Sequence, residues 1–311
     1  MNVSVIIPTY NRKNLLIRAI NSVFEQTLPP SEIIIVDDHS SFDAKRYIEN
    51  NCDDYLDIVR ILTNDRNYGG AKSRNIGARN AKSMYVAFLD SDDYWDPTKL
   101  QKQMEIVNTH PDVGLVYCDK WIIDREGSIR ESGKNLIDQN IWEYLLQGWT
   151  PPNTSTLLFR KEVFWALGGF DPRLTSCQDH DLWMRVAISD VEVKYSPERL
   201  SYFTTQTNNR VSYDYGSRLH GASDFLRKWR DEIVTSRGTM YYEWFKADYI
   251  FKVMWPIFLK GFENRDWSRI WEIYTNHFVF NPLFYARSTR FLMSRAFHGI
   301  RDRGSIAWII H

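Results

Sequence analysis

The side chains able to do chemistry are concentrated in four polar loops, each following a short apolar run. Asp90-Ser91-Asp92-Asp93 follows Met84 to Leu89. Asp90 and Asp92 offer carboxylate oxygens to a hard divalent cation, Mg²⁺ or Mn²⁺, which takes one or two from protein and the rest from phosphate and water. Asn64 to Asn75 carries Gly69-Gly70 with the cations Lys72 and Arg74 close behind. Pro8-Thr9-Tyr10-Asn11-Arg12 supplies an aromatic ring, and Asp37-Asp38-His39-Ser40 supplies further carboxylates. Together these are the parts needed to hold a nucleoside diphosphate with a metal. A DxD alone has a plainer reading, the cap of the helix beginning near Pro97, since Asp is favoured at helix starts. Its place after a buried strand, in company with the other three loops, favours the metal.

Such loops converge only if the runs before them are parallel strands. Val3 to Pro8, Glu32 to Asp37, Asp57 to Thr63 and Met84 to Leu89 are rich in β-branched residues and read as buried strands. Lys13 to Gln26, Phe42 to Asn50 and Ala71 to Ala81 read as the helices between them. This alternation predicts a parallel sheet with right-handed crossovers, whose ligands sit outside the carboxyl ends of the strands. The first loop has no glycine fingerprint, which excludes a dinucleotide-binding dehydrogenase and a P-loop enzyme. Farther on, the pattern predicts a helix over 98–109, a strand over 113–118, a hairpin over 120–130 and a strand over 154–159. A helix over 161–167 stops at Gly168-Gly169, and a helix over 179–189 precedes a strand over 191–195. Beyond Tyr213 the pattern is helical to the end.

In order and spacing, VSVIIPTYNR, EIIIVDDHSS, NYGGAKSRNIGA, VAFLDSDDYWDPTKL, GGFD at Gly168 to Asp171 and QDHDLWMR at Gln178 to Arg185 resemble a family 2 glycosyltransferase of the GT-A fold. The resemblance covers roughly residues 1 to 212. The implied fold class is α/β: a GT-A type, mostly parallel sheet flanked by helices, with a C-terminal helical extension. The expected domains are a sugar-nucleotide-binding and catalytic domain over 1–212 and a helical region over 213–311. The implied activity is metal-dependent, inverting transfer of a sugar from a nucleoside-diphosphate sugar, UDP-linked by expectation, with Mn²⁺ or Mg²⁺ as cofactor. The acceptor is a hydroxyl of a glycan or lipid-linked molecule in cell-surface polysaccharide synthesis.

Carried over position by position, Pro8, Thr9 and Tyr10 line the nucleoside pocket and Asp38 accepts a hydrogen bond from a uracil-type base edge. Gly70 belongs to the loop, and Lys72, Arg74 and Asn75 face the donor, although a solvated helix face serves as well for these three. Asp92 is the direct metal ligand, Asp90 contacts the ribose or a metal-bound water, and Ser91 lends backbone contacts. Inversion needs a carboxylate opposite the leaving group, and Asp179 matches the family's base position. Asp181 is the alternative, with helix capping its plainer role. Two departures stand out. Gln178 replaces the more usual Glu, dropping a charge while keeping hydrogen bonding, and 202–212 carries Gln206, Asn208, Asn209 and Arg210 where relatives often have Arg and His. His180 and His39 read as structural or turn residues.

For the acceptor, Trp149 and Trp183 are candidate sugar platforms, as are Trp95 and Trp142, with core packing the default for each. Trp183 shares its helix with Asp179 at i, i+4 spacing. The tail carries many aromatic residues, and 281–311 holds five Arg and no Lys. Basic residues among large apolar ones suit an interfacial helix, while packing on the core or homodimerisation is favoured slightly over membrane contact.

The whole chain has 311 residues, with 43% hydrophobic, 15% aromatic and 25% charged side chains, enough for a full-sized core. Its 39 basic and 39 acidic residues cancel, so no global field favours nucleic acid, and no nucleic-acid partner is expected. Cys52, Cys118 and Cys177 form no CxxC pair, which points to a reducing compartment. No signal peptide and no apolar stretch near 20 residues is evident, so the expected location is cytoplasmic, at the inner face of the cytoplasmic membrane. Two other functions compete. A haloacid dehalogenase type phosphatase is prompted by FLDSDD, but its nucleophile usually follows the first strand. A non-catalytic sugar-nucleotide-binding or assembly protein is disfavoured by the presence of Asp90, Asp92 and Asp179 together.

Overall fold

The computed structural model describes residues 3–52, 57–124, 127–131, 140–205, 214–263 and 265–278. Its elements open as β1 (Val3–Thr9), α1 (Lys13–Phe24), β2 (Glu32–Asp37), α2 (Ala44–Glu49), β3 (Val59–Thr63), α3 (Gly70–Asn80) and β4 (Tyr85–Phe88). There follow β5 (Tyr94–Trp95), α4 (Lys99–Thr109), β6 (Leu115–Ile123), β7 (Ile129–Glu131) and α5 (Ile141–Leu146). The series continues with β8 (Leu158–Arg160), α6 (Lys161–Ala166), α7 (Gln178–Ala187) and β9 (Val193–Thr204). All nine strands form one mixed sheet in the order β3-β2-β1-β4-β8-β6-β9-β5, with β7 paired to β6.

The first four strands are parallel, and their register brings Thr9, Asp37 and Thr63 into one row at the carboxyl edge. The ladder runs on into the loops, where Asp38 N donates to Thr9 O at 2.8 Å and Asn64 N to Asp37 O at 2.8 Å. β1 and β2 are buried along their whole length, as the continuous apolar runs require. β3 is half-buried instead of buried, because it is an edge strand. Val5, Ile7, Ile33 and Ile35 join Leu16, Ala19, Ile20 and Val23 of α1 in one core cluster. Ile6, on the opposite face by alternation, meets α3 so closely that a Cβ on Gly77 would lie 2.4 Å from Ile6 Cγ2. Absence of a side chain at Gly77 therefore sets how near α3 comes to the sheet.

Past β4 the sheet becomes partly antiparallel, through β4 with β8, β6 with β7 and β8, and β5 with β9. The strand expected over 154–159 begins only at Leu158. Asn153 O takes both Thr156 N at 3.0 Å and Thr156 Oγ1 at 2.7 Å, and this local turn displaces the strand. β9 is much longer than the strand expected over 191–195. It pairs parallel with β6, and the register jumps from Cys118↔Ser196 to Asp119↔Arg199 around Pro197, which has no N–H to give a ladder.

These elements belong chiefly to a first compact unit, Met1–Leu145, Thr150–Arg173 and Gln178–Asn208. A second unit comprises Leu146–Trp149, Leu174–Cys177 and Asn209–His311. It contains α8 (Tyr215–Lys228), α9 (Arg230–Arg237), α10 (Thr239–Glu263), α11 (Trp267–Ile273) and a π turn, Tyr274–Phe278. Gly238, at φ +87°, ends α9. The aromatic residues of α10 are largely core: Tyr249 stacks on Phe225 at 4.7 Å, and Trp255 on Phe251 at 5.0 Å. Trp267 and Trp271 of α11 are exposed. Among the described residues no helix is long and apolar enough to cross a membrane. The arginine-rich 281–311 segment lies outside the described residues.

Candidate active site

The loops after β1, β2, β3 and β4 are tied to one another at the carboxyl edge. Asn11, at φ +54°, accepts from Ser41 N at 2.7 Å through its Oδ1 and donates its own N–H to Ser40 Oγ at 2.9 Å. His39, at φ +69°, is the turn residue it resembled in the sequence. Asp38 is 4% exposed, and its carboxylate accepts from Asn64 Nδ2 at 2.7 Å, Tyr68 N at 2.8 Å and Gly69 N at 2.7 Å. It thereby holds the glycine loop in shape, a role its sequence position did not announce. Thr9 Oγ1 is buried with no hydrogen-bond partner, and the Tyr10 ring beside it is 44% exposed.

The glycine loop leads straight into α3, and the two cations placed there by sequence diverge. Residues at i and i+2 on a helix point to different sides. Lys72 Nζ lies 3.4 Å from the centre of the Tyr68 ring, whereas Arg74 turns to Asp90, with Nε 3.2 Å from Oδ1 and Nη2 on the same oxygen. Arg74 Nη1 also donates to Gln178 Oε1 at 3.3 Å. Gly70 makes room for this, since a Cβ there would stand 2.9 Å from Arg74 Nη1. Asn75, placed with the donor by sequence, bonds here to the backbone of Phe170. Its Nδ2 donates to Phe170 O at 2.7 Å and its Oδ1 accepts from Phe170 N at 2.9 Å, so the amide is spent on clamping the GGFD segment.

Carboxylate oxygens of Asp90, Asp92 and Asp93 lie within 4.8 Å of one another, the one such acidic group among the described residues. Their roles separate on inspection of partners. Asp93 is wholly buried and accepts from Thr204 N at 3.1 Å, Ser155 Oγ at 2.6 Å and Asn153 Nδ2 at 3.3 Å, so it braces the loop. Ser155 Oγ in turn receives Asp90 N at 3.1 Å. Asp92 pairs with Arg12, Nη1 to Oδ2 2.5 Å, and its carbonyl accepts from Arg18 Nη2 at 2.5 Å. Ser91 is buried between them. Asp90 and Asp92 thus present hard oxygen donors of the kind Mg²⁺ or Mn²⁺ selects, and the residues fit such an ion.

Asp179 is the second residue of α7, which starts at Gln178 directly after Cys177 at φ +61°, a left-handed conformation rare for a residue with a side chain. It is half-buried, and its Oδ1 accepts the His180 N–H at 2.9 Å. Arg74 links Asp90 to the neighbouring Gln178, which brings the start of α7 to the acidic loop. Asp181 is removed from the acceptor candidates. It is fully buried and ion-paired to Arg185 at 2.7 Å, and Arg185 also donates to Leu167 O and to Gly169 O at 2.6 Å. Trp183 is likewise no sugar platform, being 1% exposed with Nε1 on Pro152 O at 3.1 Å and its ring against Tyr117. Trp95 is buried too, and Trp149 is half-buried in the second unit.

The sequence profile described as Glycosyl transferase family 2 matches residues 4–168, more than half of the chain. The chain belongs to glycosyl transferase family 2. A glycosyltransferase of Nostoc is 35% identical over 232 residues, 73% of this chain and 67% of the relative. One of Haemophilus influenzae is 28% identical over 230 residues, 72% of this chain and 76% of the relative. A Bacillus subtilis glycosyltransferase named for teichuronic acid biosynthesis is 40% identical over 105 residues, 34% of this chain and 41% of that one. Among solved structures, residues 1–349 of S. aureus TarS in complex with UDP-GlcNAc superpose with a TM-score of 0.65 at 20% identity, covering 84% of this chain and 75% of that one. Against a longer TarS chain the match covers 43% of that chain. The fold is GT-A, and the protein is a glycosyltransferase, which displaces the phosphatase reading.

Family patterns in the sequence did not disclose Arg12, Arg18, Asn153, Ser155 or Thr204. The only signal for Arg12 was its place two residues past Tyr10 in a loop already under suspicion. Loop residues 206–213, with Gln206, Asn208, Asn209 and Arg210, lie outside the described residues.

Proposed function

We propose that this glycosyltransferase moves a sugar, with inversion, from a UDP-linked donor to a hydroxyl of a glycan or lipid-linked acceptor in cell-surface polysaccharide synthesis, using Mn²⁺ or Mg²⁺. The observation that carries the proposal is the continuous link Asp92, Asp90, Arg74, Gln178, Asp179, in which candidate metal ligands, a phosphate-seeking cation and a candidate base adjoin. The Bacillus relative's name supports the polysaccharide, and UDP-GlcNAc in the TarS complex supports the nucleotide. Tyr10, exposed beside the unspent Thr9 Oγ1, and Pro8 would line the nucleoside pocket. Residues 1–212 would form the catalytic domain. The 213–311 region would pack, dimerise or touch the inner face of the cytoplasmic membrane.

Asp179 would accept the proton of the acceptor hydroxyl as its oxygen attacks the anomeric carbon and the bond to the diphosphate breaks, the electron pair leaving with the nucleoside diphosphate. His180 N–H holds the carboxylate oriented for this. Arg74 would stabilise the departing diphosphate charge. What a bound Mg²⁺ or Mn²⁺ supplies at Asp90 and Asp92 is further compensation of that charge. Calorimetry with UDP, with and without Mn²⁺, tests the reading: binding that depends on the metal supports it, and equal affinity in chelator sinks it. Asp92→Ala should abolish metal-dependent binding, and Asp90→Ala should weaken it less.

A further inference from the structure

We propose that Arg12 is a diphosphate-binding residue that stands in for the divalent cation at Asp92 until nucleotide and metal arrive together. The inference rests on the nucleotide-sugar reading above and adds a residue and an order to it. Three carboxylates, Asp90, Asp92 and Asp93, face three guanidiniums. Arg12 pairs with Asp92 and Arg74 with Asp90, while Arg18 lies within electrostatic reach of Asp92 and Asp93. These six side chains carry three negative and three positive formal charges.

That balance decides what can enter. A divalent cation alone would add two positive charges beside guanidiniums that water screens poorly, since the Arg12 and Asp92 side chains are 16% and 7% exposed. A nucleoside diphosphate brings about three negative charges, because its terminal phosphate titrates near pH 6. Metal and diphosphate together therefore restore near-neutrality, whereas either alone does not. When a metal takes Asp92 Oδ2, the Arg12 guanidinium gives up its 2.5 Å contact there, and the entering diphosphate is the anion it turns to. The planar fork of arginine suits that exchange, as it matches carboxylate and phosphate alike. Arg12 sits on the β1 loop directly after Asn11, whose bonds to Ser40 and Ser41 hold the backbone while the side chain changes partner.

The test is calorimetric titration of Mn²⁺, with and without UDP, into the wild type, Arg12→Gln and Arg12→Lys, each with a melting curve to establish folding. For Arg12→Gln the expected result is Mn²⁺ binding without UDP that is about tenfold tighter than wild type, and UDP·Mn²⁺ binding about tenfold weaker. Arg12→Lys keeps the charge and should stay within a few-fold of wild type for Mn²⁺ alone. Mn²⁺ affinity in Arg12→Gln equal to or below that of wild type, or no Mn²⁺ binding in either, overturns the proposal. If Arg12→Gln does not fold, Arg12→Met, which keeps an unbranched stem without the charge, carries the same comparison at Asp92. The two readings fail separately. Wild type whose Mn²⁺ affinity ignores UDP while Arg12→Gln gains Mn²⁺ affinity refutes the nucleotide reading and leaves the stand-in. Wild type with UDP-linked Mn²⁺ binding and an unchanged Arg12→Gln does the reverse.

Discussion

Arg74 and Asp90 are joined by a forked contact, Nε and Nη2 of one on Oδ1 of the other, and the third nitrogen of the same guanidinium reaches Gln178 at 3.3 Å. One side chain on α3 therefore connects the acidic loop after β4 to the first residue of α7. Asp179, the candidate base, is the next residue. Its distance from the acidic loop is governed by a planar group with little freedom to adapt.

Asp179→Asn should leave UDP·Mn²⁺ affinity within about threefold of wild type and lower turnover by about 10²- to 10⁴-fold, the range a general base contributes. The amide keeps the oxygen that accepts from His180 N but cannot take the acceptor's proton. Release of UDP from a panel of UDP-linked sugars, measured beside binding, reads both quantities. Undiminished release would place the base elsewhere.

Asp93→Asn should act on stability and not on chemistry directly. Three donors converge on the Asp93 carboxylate from Thr204, Ser155 and Asn153, and an amide NH₂ would face at least one of them. A buried donor left against a donor costs about 1–3 kcal/mol. A fall in urea midpoint larger than that of Asp92→Asn is the expected outcome, because an amide at 92 can turn its oxygen to Arg12, whereas donors meet both oxygens of Asp93.

Much of this arrangement was legible in advance. A parallel sheet covered on both faces must be written as continuous apolar runs, so β1, β2 and β4 stand out, and the loops after them are fixed at one edge by the crossover rule. What could not be read is long-range bracing. Ser155 and Thr204 reach Asp93 from 62 and 111 positions away, and nothing local distinguishes them from other polar residues. The same holds for Trp183, whose i, i+4 spacing from Asp179 put it on the right side of α7 while Tyr117 and Pro152 closed over it. β5, two residues long, is too short to have a period.

Gly77→Ala should destabilise the fold by about 1–3 kcal/mol, the usual cost of overpacking. Its Cβ would lie 2.4 Å from Ile6 and 3.3 Å from Val36, both in the interior of the sheet. Because Arg74 lies one turn earlier on α3, UDP·Mn²⁺ affinity should fall as well. Ile6→Ala removes the clashing Cγ2, so the double variant should cost less than the sum of the two single changes, and urea unfolding of the three variants checks this.

The last prediction concerns Lys99, which is wholly buried with Nζ on Gln103 Oε1 at 2.7 Å and 4.1 Å from the centre of the Trp95 ring. Burial lowers its pKa from 10.5 to about 8. Unfolding therefore favours the protonated form, and between about pH 8 and 10.5 the unfolded chain binds the extra proton. Stability contributed through this group rises with pH across that window and is lowest below it, where the lysine is charged in both states. Lys99→Met has no such titration. The stability of wild type minus that of Lys99→Met should thus climb toward wild type as pH rises from 8 to 10, by on the order of 3 kcal/mol in full. Taking the difference cancels the tyrosines and other lysines common to both chains. Parallel urea titrations at pH 7, 8, 9 and 10 measure it, and a difference that stays flat across the series would mean the buried ammonium is not held near pH 8.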